Sequence, residues 1–210
     1  MLNELLKSTG ETLYMLLFSG ILSTVLGIPL GIFLYQLSHS KNNSRVYFIL
    51  DSLVNVFRSI PFIILVLLLI PLTKSVMGTI IGVNAAIFNL TVAAIPFMGR
   101  LSENAFNSLE KGIIDSAECL GMNRKQFIFK VLLPETMPQT VENITLLLIN
   151  LVTYSAIAGA VGAGGLGQLA INYGYYRFQW DVVFYSVIIL VIISQIFQFT
   201  GNRIARKLRK

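Results

Sequence analysis

Long runs without Asp, Glu, Lys or Arg constrain this chain more than any other feature. They predict helices spanning Thr12–Leu37, Val46–Leu72, Ser75–Gly99, Asn143–Val161 and Val182–Asn202, the second interrupted by Asp51 and Arg58. About 20 apolar residues cross a bilayer as helix. Lipid offers backbone N–H and C=O groups no partner, so a helix must satisfy them internally. Composition agrees: 55% of the 210 residues are hydrophobic, 12% are charged and mean hydropathy is +0.73. A soluble domain carries about 25% charged residues, so half that share cannot cover a water-facing globule. The expected fold is an all-α membrane protein of five transmembrane helices, one domain over 1–210, since no linker, low-complexity tract or internal repeat breaks it.

Basic residues set the expected orientation. Lys41 and Arg45 follow the first span; Arg100, Lys111, Arg124, Lys125 and Lys130 lie between the third and fourth; Arg203, Arg206, Lys207, Arg209 and Lys210 close the chain. These are twelve of the 16 Lys and Arg, against Lys7, Lys74 and Arg177 on the opposite side and Arg58 within a span. The positive-inside bias puts the three segments in the cytoplasm, the N-terminus outside and the C-terminus inside. The net charge of +6 is then a signal of orientation and anionic lipid, not of nucleic acid. Cys119 is the only cysteine, so no intrachain disulfide is expected. The first apolar segment follows Glu4 and Glu11 and lacks a signal-peptide pattern, so it reads as a retained span.

Residues 100–138, between spans three and four, are long for a mere connection. Ile113, Ile114, Ala117 and Leu120 recur at helical spacing, Gly121 follows as a C′ residue, and Asn123 with Gln126 forms a capping-box pattern before Pro134 and Pro138. The pattern predicts helix, tight turn and helix, with Asp115 and Glu118 exposed. An amphipathic hairpin on the headgroups would look similar. Yet Asp115-Ser116-Ala117, three residues, Gly121, nine residues and Val131-Leu132-Leu133-Pro134 resembles the E-A-A-x3-G-x9-I-x-L-P coupling motif of ABC importer permeases. Asp replaces Glu, Ser replaces the first Ala and Val replaces Ile.

The resemblance implies that Asp115, Ser116, Ala117, Glu118, Gly121, Leu133 and Pro134 couple this chain to a cytoplasmic ATPase, with small residues such as Ala117 allowing close approach. The chain has no G-x-x-x-x-G-K-[ST], so ATP and Mg would be bound by the partner and no cofactor by this chain. FRSIPF at Phe57–Phe62 and AIAGAVGAGGLGQLAINYGYYRF at Ala156–Phe178, with the five-span plan, narrow the resemblance to permeases of the methionine uptake family. It implies a methionine permease, for L- or D-methionine, working by alternating access in the cytoplasmic membrane. Its partners would be a second copy of itself, two ATP-binding cassette subunits and an extracytoplasmic methionine-binding lipoprotein.

Gly162–Gly167, GAGGLG, also fits the dinucleotide-binding spacing G-x-G-x-x-G. That turn needs a preceding strand and an acid about 20 residues on. Here an apolar run too long for a strand precedes it, and the next acid, Asp181, comes too early. Two readings fit a membrane chain better. Gly162, Gly164, Gly165 and Gly167 let helices approach closely, or they form a flexible outer gate. Tyr173, Tyr175, Tyr176 and Trp180 fit the outer interface, where amphipathic rings collect.

Arg58 stands about 18 Å past Val46 at 1.5 Å per residue, near mid-membrane. Asp51 is shallower, and two helical turns between them make direct pairing strained. Arg58 either bridges helices or lines a path and meets a substrate carboxylate, with Pro61 bending the span beside it. Asn84, Asn89, Asn143 and Asn150 suit interhelical hydrogen bonds, and His39 a solvated loop. No catalytic set and no metal-spaced His/Cys cluster is present, which disfavours a membrane enzyme. A five-span chain without inverted repeats disfavours an ion-coupled transporter. A permease for another amino acid or a small anion is the nearer alternative.

Overall fold

A computed structural model describes residues 1–40 and 44–209 of the chain. Lys41 and Lys210, counted above among the basic segments, lie outside the described residues. Every regular element described is helical: α1 (Leu2–Ser38), α2 (Ser44–Ser59), α3 (Phe62–Met77), α4 (Val83–Asn107), α5 (Lys111–Cys119), α6 (Arg124–Phe127), α7 (Leu133–Glu135), α8 (Met137–Gly159), α9 (Gly165–Ala170) and α10 (Trp180–Leu208). π-helical turns occupy Ile128–Leu132 and Ile171–Tyr175.

Four helices, α1, α4, α8 and α10, are long and apolar enough to cross a membrane, and the pair α2 and α3 supplies a fifth if taken as one span. Two expectations change here. The predicted span Val46–Leu72, with a bend expected at Pro61, is two separate helices set 109° apart. Pro61, with φ −56° and ψ 134°, has no N–H to continue α2, and it opens α3 by accepting from the amides of Ile64 and Leu65. The third span begins at Val83 rather than Ser75, because α3 runs on to Met77 and the left-handed Gly78 ends it. It also runs on to Asn107, so Arg100 sits inside α4 and not in a loop.

α1 packs mainly along α4. Gly27 and Gly31, one helical turn apart, face Met98, Gly99 and Ser102, and a Cβ on Gly27 would lie 2.6 Å from Met98 Cβ. This is the small-residue contact that lets backbones meet where lipid gives no hydrophobic drive. The core lies among α1, α4, α8 and α9, around Met15, Leu16, Leu90, Met98, Leu147, Leu151 and Leu166. A smaller cluster of Tyr35, Phe106 and Leu132 joins the end of α1 to α4 and to the hairpin after it. Outward side chains such as Leu17, Leu68, Ile188 and Ile192 are exposed, as a lipid-facing surface requires.

The described parts of the three basic segments lie at one end of the bundle. Arg209 reaches Glu142 at the start of α8 (2.8 Å), while Tyr35, near the end of α1, meets Phe106 edge-on. The opposite end holds the first turns of α1 together with Gly162–Arg177, joined by Tyr173 donating to Glu4 (2.6 Å). That carboxylate acceptor holds the Tyr173 phenol above its usual range.

Candidate functional site: a hairpin at the basic end and a membrane cavity

The hairpin forms where its caps predict. Gly121 at φ +67° donates to Glu118 O (2.9 Å), and Met122 donates to Ala117 O (3.2 Å). These are the two bonds of a Schellman C-cap, which needs the left-handed residue. Asn123 Oδ1 accepts from the Gln126 amide (2.9 Å), and Gln126 Oε1 accepts from the Asn123 amide (3.0 Å), completing the capping box. Pro134 and Pro138 do not stop the chain's helical course. They sit in the first turns of α7 and α8, where a missing N–H costs nothing.

The stripe faces the bundle. Ala117 is 4% exposed and, with Tyr35, Phe127 and Ile128 of its own chain, lines a cavity of about 250 Å³. Leu133 packs against the Tyr35, Phe106 and Leu132 cluster. The apolar stripe buries inward because its nearest apolar surface is the end of α1. Leu120, assigned to that stripe, is 74% exposed at the C-cap of α5. Asp115, Ser116, Glu118, Gly121 and Pro134 are left at the surface.

At the far end, the GAGGLG stretch is a turn leading into α9, which folds back on α8. Gly162, Gly164 and Gly165 all have positive φ, which strains any other residue. Gly167 is different: a Cβ there would overlap the Ala156 backbone across the α8–α9 contact. Glu11 Oε2 accepts from the Gly165 amide (2.8 Å) and Thr12 Oγ1 from the Leu166 amide (2.9 Å), so α1 caps α9. Glu11 was not singled out in the sequence, where it reads only as a charge preceding the first span.

Two arginines occupy the region of α2 and α4. Arg100 donates to Asp51 through Nη2 and to Glu103 Oε2 through Nη1 (2.7 Å). Tyr47 donates to the other oxygen of Glu103 (3.0 Å), and Asn55 joins both Arg100 and Asp51. Glu103 is 1% exposed. Asp51, on α2 and still 25% exposed, is therefore the ion-pair partner of Arg100 on α4. The Arg100–Glu103 spacing of three residues was the available sequence signal. Counting Arg100 as loop concealed it.

Arg58 is the other. It lies at the α2–α3 break beside a cavity of about 180 Å³ bounded by Phe57, Phe62, Phe97, Asn150 and Tyr154. Its guanidinium carbon is 5.9 Å from the centre of the Phe97 ring, and Phe62 stacks on Tyr154 at 4.5 Å with 4° between planes. Asn89, which accepts from Thr73 (2.6 Å), and Asn143, which donates to Leu101 O (2.9 Å), make the expected interhelical bonds. Among the described residues no group of three or more His, Cys, Asp or Glu could hold a metal.

Comparison with known proteins places this arrangement. Residues 27–210 match the family described as binding-protein-dependent transport system inner membrane component. The probable D-methionine transport system permease protein MetI of Vibrio cholerae is 41% identical over 205 residues, 97% of this chain and 91% of that protein. The methionine import system permease protein MetP of Bacillus subtilis is 42% identical, covering 100% of this chain and 95% of that one. Among solved structures, a chain of the MetNI methionine ABC transporter in an inward-facing conformation superposes with a TM-score of 0.97 at 42% identity, covering 100% of this chain and 98% of that one. A chain of an amino acid ABC transporter, 16% identical with a TM-score of 0.75, shares the fold. This chain belongs to the family of inner-membrane components of binding-protein-dependent transport systems.

Proposed function

We propose that the chain is the multi-pass membrane permease of an ATP-driven importer for methionine. The observation that carries this is the full-length match, at 42% identity and a TM-score of 0.97, to the permease chain of a methionine ABC transporter. The chain is a transport subunit, not an enzyme. ATP and Mg belong to a separate ATPase subunit, since this chain carries no phosphate-binding G-x-x-x-x-G-K-[ST] loop. Two copies of this chain, two ATPase subunits and an extracytoplasmic binding lipoprotein complete the assembly. The basic end faces the cytoplasm, which the positive-inside bias supports.

Coupling falls to the surface of α5 and the turn after it. Asp115, Ser116 and Glu118 present an exposed polar face, while Phe127, Ile128 and Leu133, packed on the Tyr35 cluster, hold the return of the hairpin to the bundle. ATP-driven closure of the ATPase pair draws two such segments together and opens the path outward; hydrolysis reverses it. Gly162, Gly164 and Gly165 give the outer end a turn able to gate, and Gly167 anchors it.

Uptake of radiolabelled methionine into proteoliposomes holding the purified complex and its binding protein tests this. ATP-dependent accumulation is expected. No methionine uptake, with uptake of another amino acid or a small anion, would replace the substrate and keep the permease. Gly121→Pro, which cannot adopt φ +67°, is expected to abolish transport-coupled ATP hydrolysis while membrane insertion persists.

A further inference from the structure

Resting on the importer reading, we propose that the cavity at the α2–α3 break is a transient binding site for a free amino acid. Arg58 takes the α-carboxylate, and the Phe97, Phe62 and Tyr154 rings take an apolar side chain. Among the described residues Arg58 has no ion pair and no side-chain hydrogen bond, whereas Arg100, on the neighbouring helix, is held by two carboxylates. A guanidinium within a membrane span is costly unless something meets its charge. Phe97 provides a ring face 5.9 Å away, which steadies a cation but leaves its N–H donors unused. A carboxylate is the group that matches those donors two at a time.

The lining decides which carboxylates fit. The cavity, about 180 Å³, is smaller than the ~300–1,000 Å³ of sites for drug-sized ligands, so it suits a solute of amino-acid size. Asn150 and Tyr154 also make no side-chain hydrogen bond among the described residues, and their oxygens are acceptors for an α-ammonium. The lining includes no acid, so a basic side chain would lie unpaired there; its single cation cannot serve two carboxylates. The stacked pair Phe62–Tyr154 and the Phe97 ring instead offer surface to an apolar chain, and a thioether sulfur contacts aromatic rings favourably.

Saturation-transfer NMR on the permease–ATPase complex in lipid nanodiscs, without binding protein, tests the site with L-methionine and with methioninol, which lacks the carboxylate. Transfer to the methionine S-methyl group is expected, with methioninol about tenfold or more weaker. Arg58→Ala and Arg58→Gln should abolish that discrimination, and Arg58→Lys should restore part of it. Should the uncharged variants assemble and still prefer methionine over methioninol as the wild type does, the proposal is overturned. The absence of amino-acid binding to the wild type overturns it equally. Binding of a different apolar amino acid in place of methionine, with the carboxylate preference still dependent on Arg58, would keep the site and remove the methionine assignment.

Discussion

Arg100 and Arg58 are the same residue in the same membrane region, and their surroundings set them apart. Arg100 sits in α4 with Asp51 and Glu103 as counter-charges, Asn55 accepting from it and Tyr47 donating to Glu103. Arg58 sits at a helix break, over a ring and beside a cavity, with no carboxylate paired to it among the described residues. A satisfied charge fastens two helices. An unsatisfied one is available to a solute. A charged residue within a span therefore tells little until its partners are known.

Removing Arg100 should have the largest effect. Arg100→Ala leaves Asp51 and Glu103 facing each other without a cation, and destabilisation of about 3–5 kcal/mol is expected in a denaturant or SDS titration of the solubilised complex. Glu103→Gln keeps the side-chain shape but removes the charge that Arg100 and Tyr47 share. A loss of about 1–3 kcal/mol should appear in the same titration, and the double variant Arg100→Ala/Glu103→Gln should lose less than the sum of the singles. Tyr47→Phe deletes one hydrogen bond to Glu103 and should cost about 1 kcal/mol. Arg58→Ala should shift the unfolding midpoint by no more than about 0.5 kcal/mol, since no pair is broken. A loss at Arg58 as large as at Arg100 would erase the distinction drawn between them.

Charge-free runs located α1, α8 and α10 well, because lipid leaves a spanning segment no choice but helix. The caps of the hairpin were legible for a similar reason: Gly121 and the Asn123–Gln126 pair act through bonds a few residues long. What escaped was set by contacts distant in sequence. The break at Pro61 was expected as a bend, but nothing local gave the 109° angle. Glu11 caps an amide 154 positions away. Marking span edges by charge hid Arg100 and Glu103, since a matched pair can remain inside a helix where a lone charge would be expelled. Leu120 was placed on the buried stripe yet is 74% exposed, because spacing defines a stripe without saying how far its cover extends.

The inward seat of Ala117 has a mechanical consequence. Ala117 faces a cavity of about 250 Å³ that it lines together with Tyr35, Phe127 and Ile128, so α5 has room beside the last turns of α1 rather than a filled seat. A push on Asp115 or Glu118 is therefore taken up first by α5 closing on that space, and only then by the corner of the bundle behind it. The segment behaves as a cushioned lever, and the cushion is the room under one methyl.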